Sequence, residues 1–263
     1  MVIRIINLDF RSLHFQPEPV LVCNVWDVSS AVIAEQAGYQ CIGTSSAAIS
    51  RMLGYSDGEE MSFSELYDFV VKIKSRTTIP LTVDIEAGYG DSISEIYENI
   101  KALAEIGVAG VNIEDSVVIG GKRVLKDPYV MENTISGLVA LLRASDISIF
   151  LNSRTDAYLV KGDTPLEETK LRISLYQKAG ADGIFVPFLE EKEDIKVLAE
   201  FTDLPLNVMC TQRLPDFRTL SKLGVKRISM GNYAHSRLYK ELEKDLLEVA
   251  AIQSFAPFFS NTN

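Results

Sequence analysis

The chain is short of the cysteines that build disulfide scaffolds, has no excess of positive charge, and contains no apolar run long enough to cross a membrane. Its three cysteines, Cys23, Cys41 and Cys210, are scattered, odd in number and without metal-ligand spacing. They read as reduced thiols of a cytoplasmic protein. Basic residues number 26 against 36 acidic ones, a formal net charge of −10. Such a field repels phosphate backbones and anionic membrane surfaces, so neither nucleic acid nor membrane is an expected partner. A small anionic substrate remains open, because a metal ion or one buried arginine reverses the potential locally. Residues 1–6 are apolar, but Arg4, Asp9 and Arg11 interrupt them before a signal-peptide core can form. No Pro/Gly/Ser-rich linker, charge block or low-complexity tract marks an internal boundary, so one domain is expected over residues 1–263.

What is present is a rhythm. Eight short β-rich apolar runs, at 20–25, 40–45, 81–87, 110–115, 148–152, 183–188, 206–210 and 227–230, are each followed by apolar residues at helical spacing. Most runs are continuously apolar, as strands buried on both faces should be. Glycines after the helical segments, at Gly38, Gly107, Gly180 and Gly224, read as helix C-caps. Strict β-then-α alternation implies a parallel sheet with right-handed crossovers. Eight units in 263 residues favour a closed (β/α)8 TIM barrel of the α/β class. An N-terminal helix precedes it and a helical pattern at 238–252 follows. The aromatic tail Phe255-Ala256-Pro257-Phe258-Phe259 is expected to cover either its own barrel or a neighbouring subunit.

In such a barrel the active site lies at the C-terminal ends of the strands. Those ends are acidic here. Strand three closes with Asp84-Ile85-Glu86, whose carboxylates alternation places on one side, and strand four with Glu114-Asp115. Crowded carboxylates raise one another's pKa unless a cation sits among them, and an oxygen-only set suits Mg²⁺ or Mn²⁺. Salt bridges to neighbouring strands, or helix capping, are the alternative use of such acids. Strand five leads to Arg154, which can grip a substrate carboxylate or phosphonate, or pair structurally with Glu114 or Asp156. The small-residue turn Thr44-Ser45-Ser46 can offer backbone N–H groups to an oxyanion, or simply connect a strand to a helix.

Six ordered segments then coincide with one family. Gly43-Thr44-Ser45-Ser46, Leu53-Gly54-Tyr55-Ser56-Asp57, Asp84-Ile85-Glu86-Ala87-Gly88-Tyr89-Gly90, Ile113-Glu114-Asp115, Ser153-Arg154-Thr155-Asp156-Ala157 and Gly180-Ala181-Asp182-Gly183 resemble the isocitrate lyase/phosphoenolpyruvate mutase superfamily. The resemblance implies a (β/α)8 barrel with Mg²⁺ at its mouth, acting on 2-oxo acids or their enolates by making or breaking a C–C or P–C bond. It implies Asp84 as principal metal ligand, with Glu86, Glu114 and Asp57 holding the ion directly or through water. Arg154 would anchor substrate, and Thr44, Ser45 and Ser46 would cradle its oxygens. Homodimers or homotetramers exchanging a C-terminal helix are implied as well.

The departures narrow the chemistry. Isocitrate and methylisocitrate lyases carry Lys-Lys-Cys-Gly-His after strand four, whereas residues 116–127 here hold neither Cys nor His. Phosphoenolpyruvate mutase and phosphonopyruvate hydrolase keep a Lys and an Asn in that loop and a His on strand six. Here Lys122 and Arg123 stand without the Asn, Pro187 lies near the His position, and Glu86 replaces an Asp. Asn24-Val25-Trp26-Asp27 and Pro205-Leu206-Asn207-Val208 resemble instead a bacterial phosphonomutase-like subgroup whose motifs do not disclose a substrate.

The reading that follows is a cytoplasmic Mg²⁺-dependent lyase or decarboxylase, cleaving a C–C bond of a small 2-oxo or 2-hydroxy dicarboxylate through an enolate. P–C bond chemistry and a non-catalytic carboxylate-binding protein are the alternatives. Arg154, Glu114 and Tyr89 are the catalytic candidates, with water or Tyr89 returning the proton to the enolate. Asn207 joins the substrate-binding group, Gly120-Gly121 offers a hinge for a lid, Asp27 reads as a helix N-cap, and Trp26, His14, His235 and Cys210 as structural.

Overall fold

The computed structural model describes residues 9–259, so the apolar start at 1–6 lies outside them. The eight apolar runs form strands because each is buried on both faces. In chain order the first half comprises β1 (Val20–Val25), α1 (Val28–Gln36), β2 (Cys41–Thr44), α2 (Ser46–Leu53), α3 (Phe63–Lys74), β3 (Leu81–Asp84), α4 (Ile93–Glu105) and β4 (Gly110–Glu114). Then come β5 (Ser116–Ile119), β6 (Lys122–Leu125), α5 (Pro128–Ala144), β7 (Phe150–Arg154), α6 (Ala157–Val160), α7 (Pro165–Ala179) and β8 (Gly183–Val186). The last elements are α8 (Lys192–Phe201), β9 (Leu206–Met209), α9 (Phe217–Lys222), β10 (Arg227–Ser229) and α10 (Tyr233–Ile252), with 3-10 turns at Ser12–Phe15 and Ala256–Phe259.

The strands close into one parallel barrel in the order β1-β10-β9-β8-β7-β4-β3-β2. All eight expected strands are present. The run at 81–87 stops at Asp84 because Glu86 takes φ 48°, which a strand cannot continue through. The run at 148–152 sits two residues later, which brings Arg154 onto the end of β7.

Local signals set the helix ends. Asp27 caps α1 by accepting the Ser30 N–H at 2.7 Å, and Ser62 and Ser92 cap α3 and α4 in boxes with Glu65 and Glu95. The expected C-cap glycines, Gly38, Gly107, Gly180 and Gly224, all have positive φ.

The segment after strand four corrects an expectation. It is an antiparallel hairpin, β5 with β6, pairing Ile119 with Lys122 across Gly120 and Gly121. Their φ values of 58° and 74° belong to a type I′ turn, a geometry glycine adopts without steric cost. The glycine pair is thus the tip of a hairpin.

At the barrel's N-terminal end, Phe10, Leu13, Val20, Val22, Cys41 and Phe150 form a separate apolar plug. His14 lies in it, stacked on Phe150 at 4.2 Å between ring centroids. Burial, with Arg227 nearby, lowers its pKa from 6.5 to about 3. His235 is buried edge-on to Trp26, so both histidines and the tryptophan pack as expected. The helical pattern at 238–252 belongs to α10, which leaves Leu238, Leu242, Leu246 and Ile252 exposed. Among the described residues no helix is long and apolar enough to cross a membrane.

Candidate active site

A cavity of about 300 Å³ opens at the C-terminal ends of the barrel strands. Ser45, Ser46, Asp57, Asp84 and Arg154 line it, as the sequence predicts, together with Asn24, Asn112, Arg123, Phe185 and Arg227.

The turn after β2 shapes the acidic wall. Ser45 caps α2, so the first helical turn faces the cavity at Ser46 and Ala47, where helix N–H groups have no partner within the helix. Ser46 donates its hydroxyl to Asp84 Oδ2 at 2.8 Å, and Thr44 Oγ1 accepts the Asp84 N–H at 2.9 Å. Thr44 therefore holds the backbone of the strand end and does not line the cavity. The other carboxylate oxygen, Asp84 Oδ1, is buried with no hydrogen-bond partner. Burial pushes the Asp84 pKa up, and Arg154 partly offsets it.

The basic wall is built from strand register. Glu114 and Arg154 are paired residues of β4 and β7, which brings Arg154 Nη1 to 2.9 Å from Glu114 Oε2. Arg154 Nε also donates to Asp156 Oδ1 at 2.6 Å, so both structural pairings open to Arg154 are realised while it still faces the cavity. Arg123, carried in by the hairpin, reaches Glu114, Asp156 Oδ2 at 3.2 Å and Asp57 Oδ2 at 2.9 Å. Burial raises the Glu114 pKa against the pull of Arg154 and Arg123. Burial also pushes Asp156 up, but Arg154, Ser116 and Arg123 together outweigh it and hold that carboxyl below its usual range.

Besides Thr44, the expected site residues Glu86, Tyr89 and Asn207 stand outside the cavity lining. Glu86, turned by its positive φ, escapes the alternation that would have set it beside Asp84. Its carboxylate accepts the Tyr89 hydroxyl at 2.8 Å and the Glu59 N–H at 2.7 Å, and burial with Asp57 nearby raises its pKa to about 7. Tyr89 lines a neighbouring groove instead of the cavity, and burial and Glu86 raise its pKa. Asn207 is used inside the barrel wall, where it donates to Val208 O at 2.7 Å and accepts from Asn152 at 3.2 Å.

Two cavity arginines were passed over as site residues. Arg123 carries no local signal, since only the hairpin register directs it inward. Arg227 does carry one, because a charged residue opens the last of the eight short β-rich runs. Asn24 ties the rim together, donating to Thr44 O at 3.0 Å and accepting the Met230 and Gly231 N–H groups.

Among the described residues no three His, Cys, Asp or Glu side chains converge tightly enough to form a metal cluster by themselves. Glu86 and Glu114 line a small pocket beside the cavity, where Glu86 accepts from Tyr89 and Glu114 pairs with two arginines, while Asp84 lines the cavity itself. The bare Asp84 Oδ1 nonetheless fits one hard divalent ion, since Mg²⁺ is commonly held by one or two carboxylates and completed by water and substrate oxygens.

Residues 10–250 match the phosphoenolpyruvate phosphomutase family. The chain belongs to this family. As a phosphomutase-family chain it falls within the isocitrate lyase/phosphoenolpyruvate mutase superfamily, whose enzymes perform lyase and mutase chemistry on carboxylates. An oxaloacetate decarboxylase from Pseudomonas fluorescens is 30% identical over 234 residues, covering 86% of this chain and 78% of that protein. An uncharacterized Mycobacterium tuberculosis protein is 29% identical over 87% of this chain and 84% of its own length. A crystal structure from Burkholderia cenocepacia J2315, provisionally named a phosphonomutase, superposes with a TM-score of 0.84 at 33% identity, covering 91% of this phosphomutase-family chain and 97% of that one.

Proposed function

We propose that this chain is a divalent-metal-assisted lyase or decarboxylase that cleaves a C–C bond of a small 2-oxo or 2-hydroxy dicarboxylate through an enolate. The observation that carries this is the pairing, across one cavity, of an unpartnered buried carboxylate oxygen on Asp84 with the inward-facing Arg154. Asp84, helped through water by Asp57, Glu86 or Glu114, would hold Mg²⁺ or Mn²⁺. When bound, such an ion withdraws electron density from the substrate carbonyl.

The chain's own groups do the rest. Arg154, already oriented by Asp156 and Glu114, receives a substrate carboxylate without having to be ordered at that moment. The first turn of α2 presents backbone N–H groups where negative charge gathers on the enolate oxygen. Arg123 ties the hairpin across the mouth to Asp57, which limits the entry of water. Reprotonation falls to water, because the Tyr89 hydroxyl is donated to Glu86 away from the cavity. The likeness to an oxaloacetate decarboxylase favours C–C cleavage, and the likeness to a protein named a phosphonomutase keeps P–C cleavage as the second reading.

The test is turnover of oxaloacetate, methylisocitrate, isocitrate and phosphonopyruvate with Mg²⁺, following pyruvate, glyoxylate and phosphate, with Asp84→Ala as control. Metal-dependent pyruvate from oxaloacetate supports the first reading and phosphate from phosphonopyruvate the second. Silence on all four with retained binding of oxalate points to a carboxylate-binding protein. We further place the protein in the cytoplasm as a homodimer or homotetramer, with the Leu238, Leu242 and Leu246 stripe of α10 packed on a second copy. Light scattering of wild type and Leu242→Glu should show the assembly and its loss.

A further inference from the structure

The three arginines lining the cavity differ in what they already hold. Arg123 and Arg154 are each ion-paired to carboxylates, whereas Arg227 takes part in no salt bridge among the described residues. It is 1% exposed, yet Nε and Nη1 have no hydrogen-bond partner, and Nη2 makes one long bond to Asn112 Oδ1 at 3.3 Å.

Position adds to this. Arg227 is the first residue of β10, in register with Val20 at the start of β1, and its guanidinium lies 5.9 Å from the Phe10 ring of the apolar plug. It forms the floor of the cavity whose upper end holds Arg154 and Asp84. The groups around it are Asn112, Ser229, Cys41 and a His14 that its own charge helps keep neutral; Asp84, higher in the cavity, acts on it through space but forms no ion pair with it.

An unpaired buried guanidinium costs stability, and a fold that retains one against a cavity has a reason other than packing. We infer that Arg227, flanked by Asn112 and Ser229, is an anion subsite at the cavity floor that takes a second anionic group of the ligand, carboxylate or phosphonate, while Arg154 takes the first. The inference deepens the proposed function, since it makes the preferred ligand a dianion with charge at both ends. Arg227 supplies up to three N–H donors to that group, and no bond is made or broken there.

The test is thermal unfolding with Mg²⁺ in the presence of malate, phosphonopyruvate or pyruvate, for wild type, Arg227→Met and Arg227→Lys. Wild type should bind malate or phosphonopyruvate about 10- to 100-fold more tightly than pyruvate. Whichever of the two responds identifies the second group as carboxylate or phosphonate. In Arg227→Met that preference should vanish while pyruvate binding persists, and the ligand-free midpoint should stay level or rise, because an unpaired charge has been removed. Arg227→Lys keeps the charge without the fork and should retain part of the preference, which keeps the idea testable if the Met variant folds poorly.

Dianion binding to Arg227→Met as tight as to wild type, or no dianion preference in wild type, would overturn the subsite. The readout is separate from turnover: Arg227-dependent malate binding without product sinks the proposed reaction alone, and turnover untouched by Arg227→Met sinks this inference alone.

Discussion

Glu114 and Asp115 are neighbours at the end of one strand, and they lead into two different kinds of buried charge. Asp115 faces outward from the barrel. It accepts from Arg172 Nη1 at 2.9 Å, from the Tyr176 hydroxyl at 2.7 Å and from the Asp156 N–H at 2.9 Å. Arg172 goes on to Lys126 O at 3.0 Å, binding α7 to the end of the hairpin. That cluster is closed, with both carboxylate oxygens of Asp115 accepting hydrogen bonds. Glu114 faces inward, where two arginines share it beside a cavity lined by Asp84, with its unpartnered Oδ1, and by an unpaired Arg227. Burial and charge are common to both regions. What separates a clamp from a site is unfinished hydrogen bonding against open space.

The largest effect that could break this comparison is at Asp84. Asp84→Ala should lower turnover on whichever substrate is accepted by about 10³-fold while leaving the urea midpoint unchanged or raised, since it removes a poorly satisfied buried acid. A large loss of stability would mean the mouth is a second clamp. Asp115→Ala should do the opposite and cost about 3–5 kcal/mol in urea unfolding, because it strands the buried Arg172 charge. If Asp115→Ala unfolds as wild type does, the clamp is dispensable and the distinction fails.

His14, at the other end of the barrel, sharpens the same point through pH. With its pKa lowered from 6.5 to about 3, the unfolded chain takes up a proton in that window that the folded chain refuses. Its contribution to stability is therefore present above pH 6.5 and is lost on acidification toward pH 3, at about 1.4 kcal/mol per pH unit. Urea unfolding of His14→Phe between pH 7 and 4 should be less acid-sensitive than wild type by that slope; parallel curves would show that His14 takes up its proton in the fold. The smallest expected effect is at the hairpin tip. Gly121→Val at φ 74° should cost about 1–2 kcal/mol locally and raise KM a few-fold through Arg123, with stability of the barrel unchanged. An unchanged KM would detach Arg123 from substrate access.

Much of the fold was legible because its causes are local. A run such as 20–25 is apolar on both faces, Asp27 and Ser30 sit at capping distance in sequence, and Gly180 follows the last helical turn, so strand, start and stop need only a few residues each. Strand order and the acidic mouth follow from alternation and chain length. The site was only partly legible. Asp84, Arg154, Ser45, Ser46 and Asp57 meet as expected, but alternation failed at Glu86 once its backbone left the strand region, and it said nothing of how far inside the barrel Asn207 would bind.

The amino-acid sequence alone thus determined the eightfold alternation, the helix boundaries and which strand ends carry charge, all consequences of periodicity and capping within a turn or two. Only the tertiary structure decided which charges are satisfied. Arg123 meets Asp57 across 66 positions and Arg172 meets Asp115 across 57, whereas Arg227 forms no salt bridge among the described residues. Pairing energies depend on ångström separations and on the water excluded around them, and those exist only after the barrel has closed.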